Sequence, residues 1–253
     1  MGSLVRAMDD GGDGPVVVYV PGVDGTGELL LDTAQMLRES FRVVRLRYAA
    51  DVLPSIGAGY RELAADVVLT LDELGIDRAL LLAESFGVAL ALQIALDHPE
   101  HVRGLGLVNG FAHYPCRWRL ALARTVMPRV PGFLFRLGRR LTIPMGMIAP
   151  RSDPLVVRGM LGRADDYFGA AFLRRLALIR EVDLRPQLEE ISCPVALFAS
   201  ENDRVVPSVA CAREMEAGLP DATLETLGHA GHVILPFNDE PWVARLLDLE
   251  RRA

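Results

Sequence analysis

One serine in this chain stands where a reactive serine would. In Leu81-Leu82-Ala83-Glu84-Ser85-Phe86-Gly87 a strand-like apolar run passes directly into a helix-like one, with Ser85 at the corner. A strand–turn–helix corner holds its serine in a strained backbone conformation and lifts the Oγ above the sheet. The residues two before and two after must be small, because the turn brings their backbones together; Ala83 and Gly87 meet this need. The bland alternative is that Ser85 only caps the helix. A serine hydroxyl also needs a base to take its proton and an acid to hold that base. Both follow in chain order. Asp203 lies in Glu201-Asn202-Asp203-Arg204 and His232 in Gly228-His229-Ala230-Gly231-His232, each just after a strand-like run. Glu201 and His229 are their nearest rivals. Three such groups at the C-terminal ends of three strands would perform acyl transfer.

Acyl transfer also needs two N–H groups aimed at the developing oxyanion. Phe86, next after the serine, offers one. The glycine-rich turn Pro21-Gly22-Val23-Asp24-Gly25-Thr26-Gly27 offers the other, from Val23 first and Asp24 second. A phosphate-binding reading of this turn fails. The third glycine of the dinucleotide pattern is missing, and all 27 basic residues are arginine, so no phosphate-loop lysine exists. The same absence removes Schiff-base chemistry.

The elements that must carry these groups read as an α/β domain. Continuous apolar strands are expected at 16–20, 42–46, 79–83, 105–108, 195–199 and 223–227, and helices at 60–74, 86–98, 208–217 and 240–252. Strands of this kind alternating with helices indicate a mostly parallel twisted sheet covered on both faces. The alternation fails between about 111 and 185, where helical runs are broken by six prolines. The expected division is therefore a core of 1–110 and 186–253 with a helical cap at 111–185, inserted after a sixth strand.

This arrangement resembles the α/β-hydrolase superfamily. The Pro21–Gly27 loop, Ala83–Gly87 and the following Ala89-Leu90-Ala91-Leu92 are similar to a branch with esterases, thioesterases and the esterase-like part of phytyl-ester synthases. The resemblance spans Val16 to about Leu249. It implies a serine nucleophile, an acyl-enzyme, no cofactor and no metal, and a lid at 111–185. Two departures stand out: proline precedes the oxyanion-loop glycine where histidine is frequent, and Ala83 replaces the first glycine of the corner. Neither is a reacting group. The expected activity is hydrolysis of a small-molecule carboxylic ester, with acyl transfer or thioester cleavage as neighbours, or a ligand-binding relative with little turnover. Trp118, Phe133, Met145, Met147, Tyr167 and Val233 are candidate substrate contacts, since apolar, Met-rich linings suit acyl chains.

Composition sets the outer limits. The chain has 253 residues, 51% hydrophobic and 24% charged, which describes a folded domain large enough to need no metal or disulfide staple. Its net charge of −6 argues against nucleic acid as a partner. The charge is uneven: 117–185 carries 14 Arg against 5 acids, inside an acidic remainder. No apolar run reaches the ~18 residues of a membrane span, so no stable membrane insertion is expected. The three cysteines are widely spaced and residues 1–13 lack an apolar core, so a cytoplasmic protein with reduced thiols is expected. The oligomeric state is left open by these features.

Overall fold

In the computed structural model, residues 3–30, 32–49, 59–126, 129–130, 170–237 and 240–253 are described. The apolar runs form β2 (Val16–Val20), β4 (Ala79–Glu84), β5 (Val102–Val108) and β6 (Val195–Ser200), each buried along nearly its whole length. Such strands have no solvated face and pair in parallel under helices. With β1 (Val5–Gly11), β3 (Arg42–Tyr48) and β7 (Ala222–Leu227) they build one seven-stranded sheet in the order β1-β3-β2-β4-β5-β6-β7. All neighbours are parallel except β1, which runs antiparallel to β3.

Helices cover both faces. On one lie α2 (Tyr60–Glu73), α3 (Phe86–Asp97) and, further along the chain, a helix at Ser208–Gly218; their apolar residues share one core. α3 has ten consecutive buried residues, Phe86 to Ala95, and is therefore apolar all round. On the other face α1 (Asp32–Leu37) and the C-terminal helix Trp242–Arg252 pack in a second core with Trp242 fully buried.

The chain leaves β2 toward β3 on one side of the sheet and leaves β4 toward β5 on the other. Sheets of this type bind ligands in the crevice beyond the strand ends where the order reverses. The register sharpens this. Val20 pairs with Ala83, so the turn beginning Pro21-Gly22 starts level with Glu84-Ser85.

The expected cap after a sixth strand is one strand too late in count, since among the described residues five strands precede 111. The apolar patterns mark four of these five; β1 is the fifth. Between β5 and β6 the described residues form α4 (Arg117–Val126) and α5 (Ala170–Glu181), with a single bridge from His113 to Asp183. In chain order the helices at Ser208–Gly218 and Trp242–Arg252 are then α6 and α7.

Candidate active site

Ser85 is the single residue between β4 and α3, with φ +53° and ψ −116°, a positive-φ conformation that favours glycine. Its N–H donates to the Val108 carbonyl at 3.0 Å, which ties the corner to β5. A Cβ built on Gly87 would lie 2.4 Å from the Val20 carbonyl oxygen, so only glycine fits there. Ser85 occupies the cap position of α3, yet its side chain makes no capping hydrogen bond. The Oγ instead lies 3.1 Å from His232 Nε2.

His232 is reached by the loop after β7 and is 5% exposed. Its Nδ1 lies 2.7 Å from Asp203 Oδ2, on the loop after β6. That carboxylate is fully engaged: Oδ1 accepts the Val205 and Val206 N–H groups at 2.8 and 2.9 Å, and Oδ2 also accepts the Ser208 hydroxyl. Burial alone would push the Asp203 carboxyl up. The facing imidazole and the donated hydrogen bonds outweigh it and hold the carboxyl below its usual range. Burial alone would likewise push His232 down, but the charge and hydrogen bond of Asp203, helped by Glu84, raise it above its ordinary value. The two shifts agree: the pair favours a charged carboxylate beside an imidazole that protonates readily.

The Gly22–Thr26 turn lies against the serine. A Cβ on Gly22 would be 3.6 Å from Ser85 Cβ. The turn is closed by Gly25 N–H donating to the Gly22 carbonyl at 3.1 Å, and the Asp24 carboxylate accepts the Thr26 N–H and hydroxyl at 2.9 and 2.8 Å. Tyr48 Oη donates to the Pro21 carbonyl at 2.9 Å.

The family model of the alpha/beta hydrolase family matches residues 4–246. The chain belongs to the alpha/beta hydrolase family. This hydrolase is 29% identical over 251 residues to the Escherichia coli O157:H7 protein named "Putative carbamate hydrolase RutD", covering 93% of this chain and 91% of that one. It is similar in fold to an esterase from Exiguobacterium antarcticum, with a TM-score of 0.85, 18% identity and coverage of 98% and 95%. A hydrolase from Pseudomonas aeruginosa matches with a TM-score of 0.82, 22% identity and coverage of 97% and 93%.

Elsewhere in the hydrolase the rivals have other partners. His229 is 61% exposed at its side chain and meets Glu240 at 2.5 Å, and Glu201 is exposed. Val233 is buried in the core shared with α1 and α7, so it packs there. Trp118 is exposed on α4, beside Leu122 and Val126. Phe133, Met145, Met147 and Tyr167 lie outside the described residues. Among the described residues no cluster of His, Cys, Asp and Glu could hold a metal, and no helix is long and apolar enough to cross a membrane.

Three buried polar residues around this constellation were not signalled by sequence spacing. Asn109, at φ +49° just after β5, donates to the Ser200 hydroxyl and to the Gly231 and His232 carbonyls, and its Oδ1 accepts the Ser200 N–H. Glu84, next to the serine, accepts the hydroxyl of the buried Tyr19. Arg175 of α5 donates to the Val23 and Asp24 carbonyls. Each acts on a partner far away in the chain, and no local pattern marks such pairs.

Proposed function

We propose that this hydrolase cleaves carboxylic esters through an acyl-enzyme on Ser85. The observation carrying the reading is the uncapped Ser85 Oγ in reach of His232, which is itself held by Asp203. Ser85 Oγ attacks the ester carbonyl and passes its proton to His232 Nε2. Asp203 holds the ring through Nδ1–H and stabilises the imidazolium. The oxyanion is held by the N–H groups of Phe86 and Val23, with Asp24 the next donor along the turn. Collapse expels the alcohol, which takes the proton from His232. Water then gives its proton to His232 and attacks the acyl carbonyl; collapse breaks the Ser85 Oγ–carbon bond, Oγ takes the proton back from His232, and the acid is released. The described part of the segment between β5 and β6 reaches the site loops through Tyr114 and Arg175, and that segment is where the acyl group would be selected.

The match to a relative named for carbamates favours a second reading. A carbamate carbonyl bears nitrogen on one side and oxygen on the other, and the same serine would attack it. Both readings are tested by intact-mass labelling with a fluorophosphonate beside hydrolysis of p-nitrophenyl esters and p-nitrophenyl carbamates. Wild type should gain one adduct and turn over at least one series. Ser85→Ala should gain none and lose about 10⁴–10⁶ in kcat. Well-folded wild type that neither labels nor hydrolyses would sink both readings.

A further inference from the structure

Arg175 projects from α5 into the core of the molecule and is 3% exposed. Burying a guanidinium is costly unless its hydrogen bonds are made, so its contacts define what it does. Nε donates to the Val23 carbonyl at 2.6 Å and Nη2 to the Asp24 carbonyl at 2.8 Å. The guanidinium also lies over the Tyr48 ring, 5.8 Å from its centre. Space has been kept for it: a Cβ on Gly25, which has φ +72°, would lie 2.9 Å from Arg175 Cζ.

A trans peptide points its C=O and the following N–H in opposite directions. Pinning a carbonyl therefore aims the next N–H. The Tyr48 hydroxyl pins the Pro21 carbonyl, and the Gly25 N–H pins that of Gly22, which aims the Val23 N–H. Arg175 pins the next two, Val23 and Asp24, and so aims the N–H groups of Asp24 and Gly25 and closes the turn that holds Val23. Four consecutive peptide planes are fixed, two of them by one side chain from the segment between β5 and β6.

We propose that Arg175 is a positioning residue for the oxyanion site: through the Val23 carbonyl it aims the Asp24 N–H, and through the Asp24 carbonyl it keeps the Gly25 N–H on the Gly22 carbonyl and so fixes the peptide plane that carries the Val23 N–H, so that transition-state charge is held only while α5 is seated on that turn. This rests on the serine-esterase reading. The arginine does not touch substrate; it acts through the backbone.

The test compares wild type, Arg175→Met and Arg175→Lys with a p-nitrophenyl ester, a trifluoromethyl ketone and the matching methyl ketone. Ser85 adds to the trifluoromethyl ketone: Oγ bonds to the carbonyl carbon, the proton goes to His232, and the oxygen becomes an alkoxide in the oxyanion site. The methyl ketone binds without this step. For Arg175→Met, kcat should fall about 10–100-fold with KM within about 3-fold, since donors that are mis-aimed rather than deleted should cost somewhat less than the loss of one outright. The trifluoromethyl ketone should weaken in parallel, the methyl ketone should not, and Arg175→Lys should recover part of both. A folded Arg175→Met with unchanged trifluoromethyl ketone affinity, or with its loss confined to KM, makes Arg175 a packing residue and overturns the inference. If circular dichroism shows Arg175→Met unfolded, Arg175→Lys decides: wild-type kcat and trifluoromethyl ketone affinity overturn it. Wild type that neither hydrolyses nor binds the trifluoromethyl ketone removes the esterase reading itself, and the inference falls with it.

Discussion

At the scale of single residues, the proton inventory around Ser85 includes a carboxyl that the proposed chemistry does not consume. Glu84 is 4% exposed. Burial pushes it up, Asp24 adds to this, and the Tyr19 hydroxyl and His232 pull back, leaving it at about 7. Its charge is one of the influences that raise His232. The sign of the pH effect follows. The base works unprotonated, so kcat/KM should fall as pH drops through a His232 pKa above the ordinary ~6.5. Glu84→Gln removes a negative charge that favours the imidazolium, so the acid limb should move to lower pH. The measurement is kcat/KM against pH for both proteins. A limb that stays in place would show that Glu84 does not influence the base.

At the scale of elements, Asn109 ties the histidine loop to the sheet at Gly231 and His232. This side chain joins the ends of β5 and β6 to the carbonyls of Gly231 and His232. Asn109→Ala would strand several buried polar groups, at about 1–3 kcal/mol for each left unsatisfied. Urea denaturation should show a loss of about 2–4 kcal/mol, less than the full sum because the loop can relax toward water. Turnover should fall with it, because His232 loses its backbone anchor. Stability equal to wild type would show that the loop holds itself.

The elements that hold Ser85 were legible, since the β4–α3 corner is written in consecutive apolar residues with one small polar interruption. β1 was not. Its seven residues include Asp9, Asp10 and Gly11 and form no apolar run. Its place at the antiparallel edge explains this. Only Val5 is fully buried, and the acids pair across the strands with Arg42 and Arg45. α1 is six residues long, too short for a periodic signal. Asn109 and Arg175 were illegible for another reason: their meaning lies in carbonyls that carry no side-chain identity.

At the scale of the whole molecule, two cores on opposite faces hold the sheet rigid, and the site is laid along its C-terminal edge. α3 and α2 support it from one face, and Phe86 at the head of α3 packs between Tyr48 and Tyr60. The described parts of the segment between β5 and β6 reach two site loops: Tyr114 donates to the Val205 carbonyl on the Asp203 loop, and Arg175 holds the glycine turn. Composition predicted a folded domain but could not reveal these ties, because each joins positions more than ninety residues apart. The whole domain bears the cost of one torsion. A left-handed non-glycine residue costs about 1–2 kcal/mol, and Ser85 holds that conformation beside a sheet that leaves it no other. Glycine there would relieve the backbone, while alanine would keep the Cβ and the strain. In thermal melts Ser85→Gly should therefore unfold above Ser85→Ala, and both should be inactive. Folding alone would favour glycine at this corner, so on the proposed chemistry the serine is kept for its hydroxyl, against the preference of the fold.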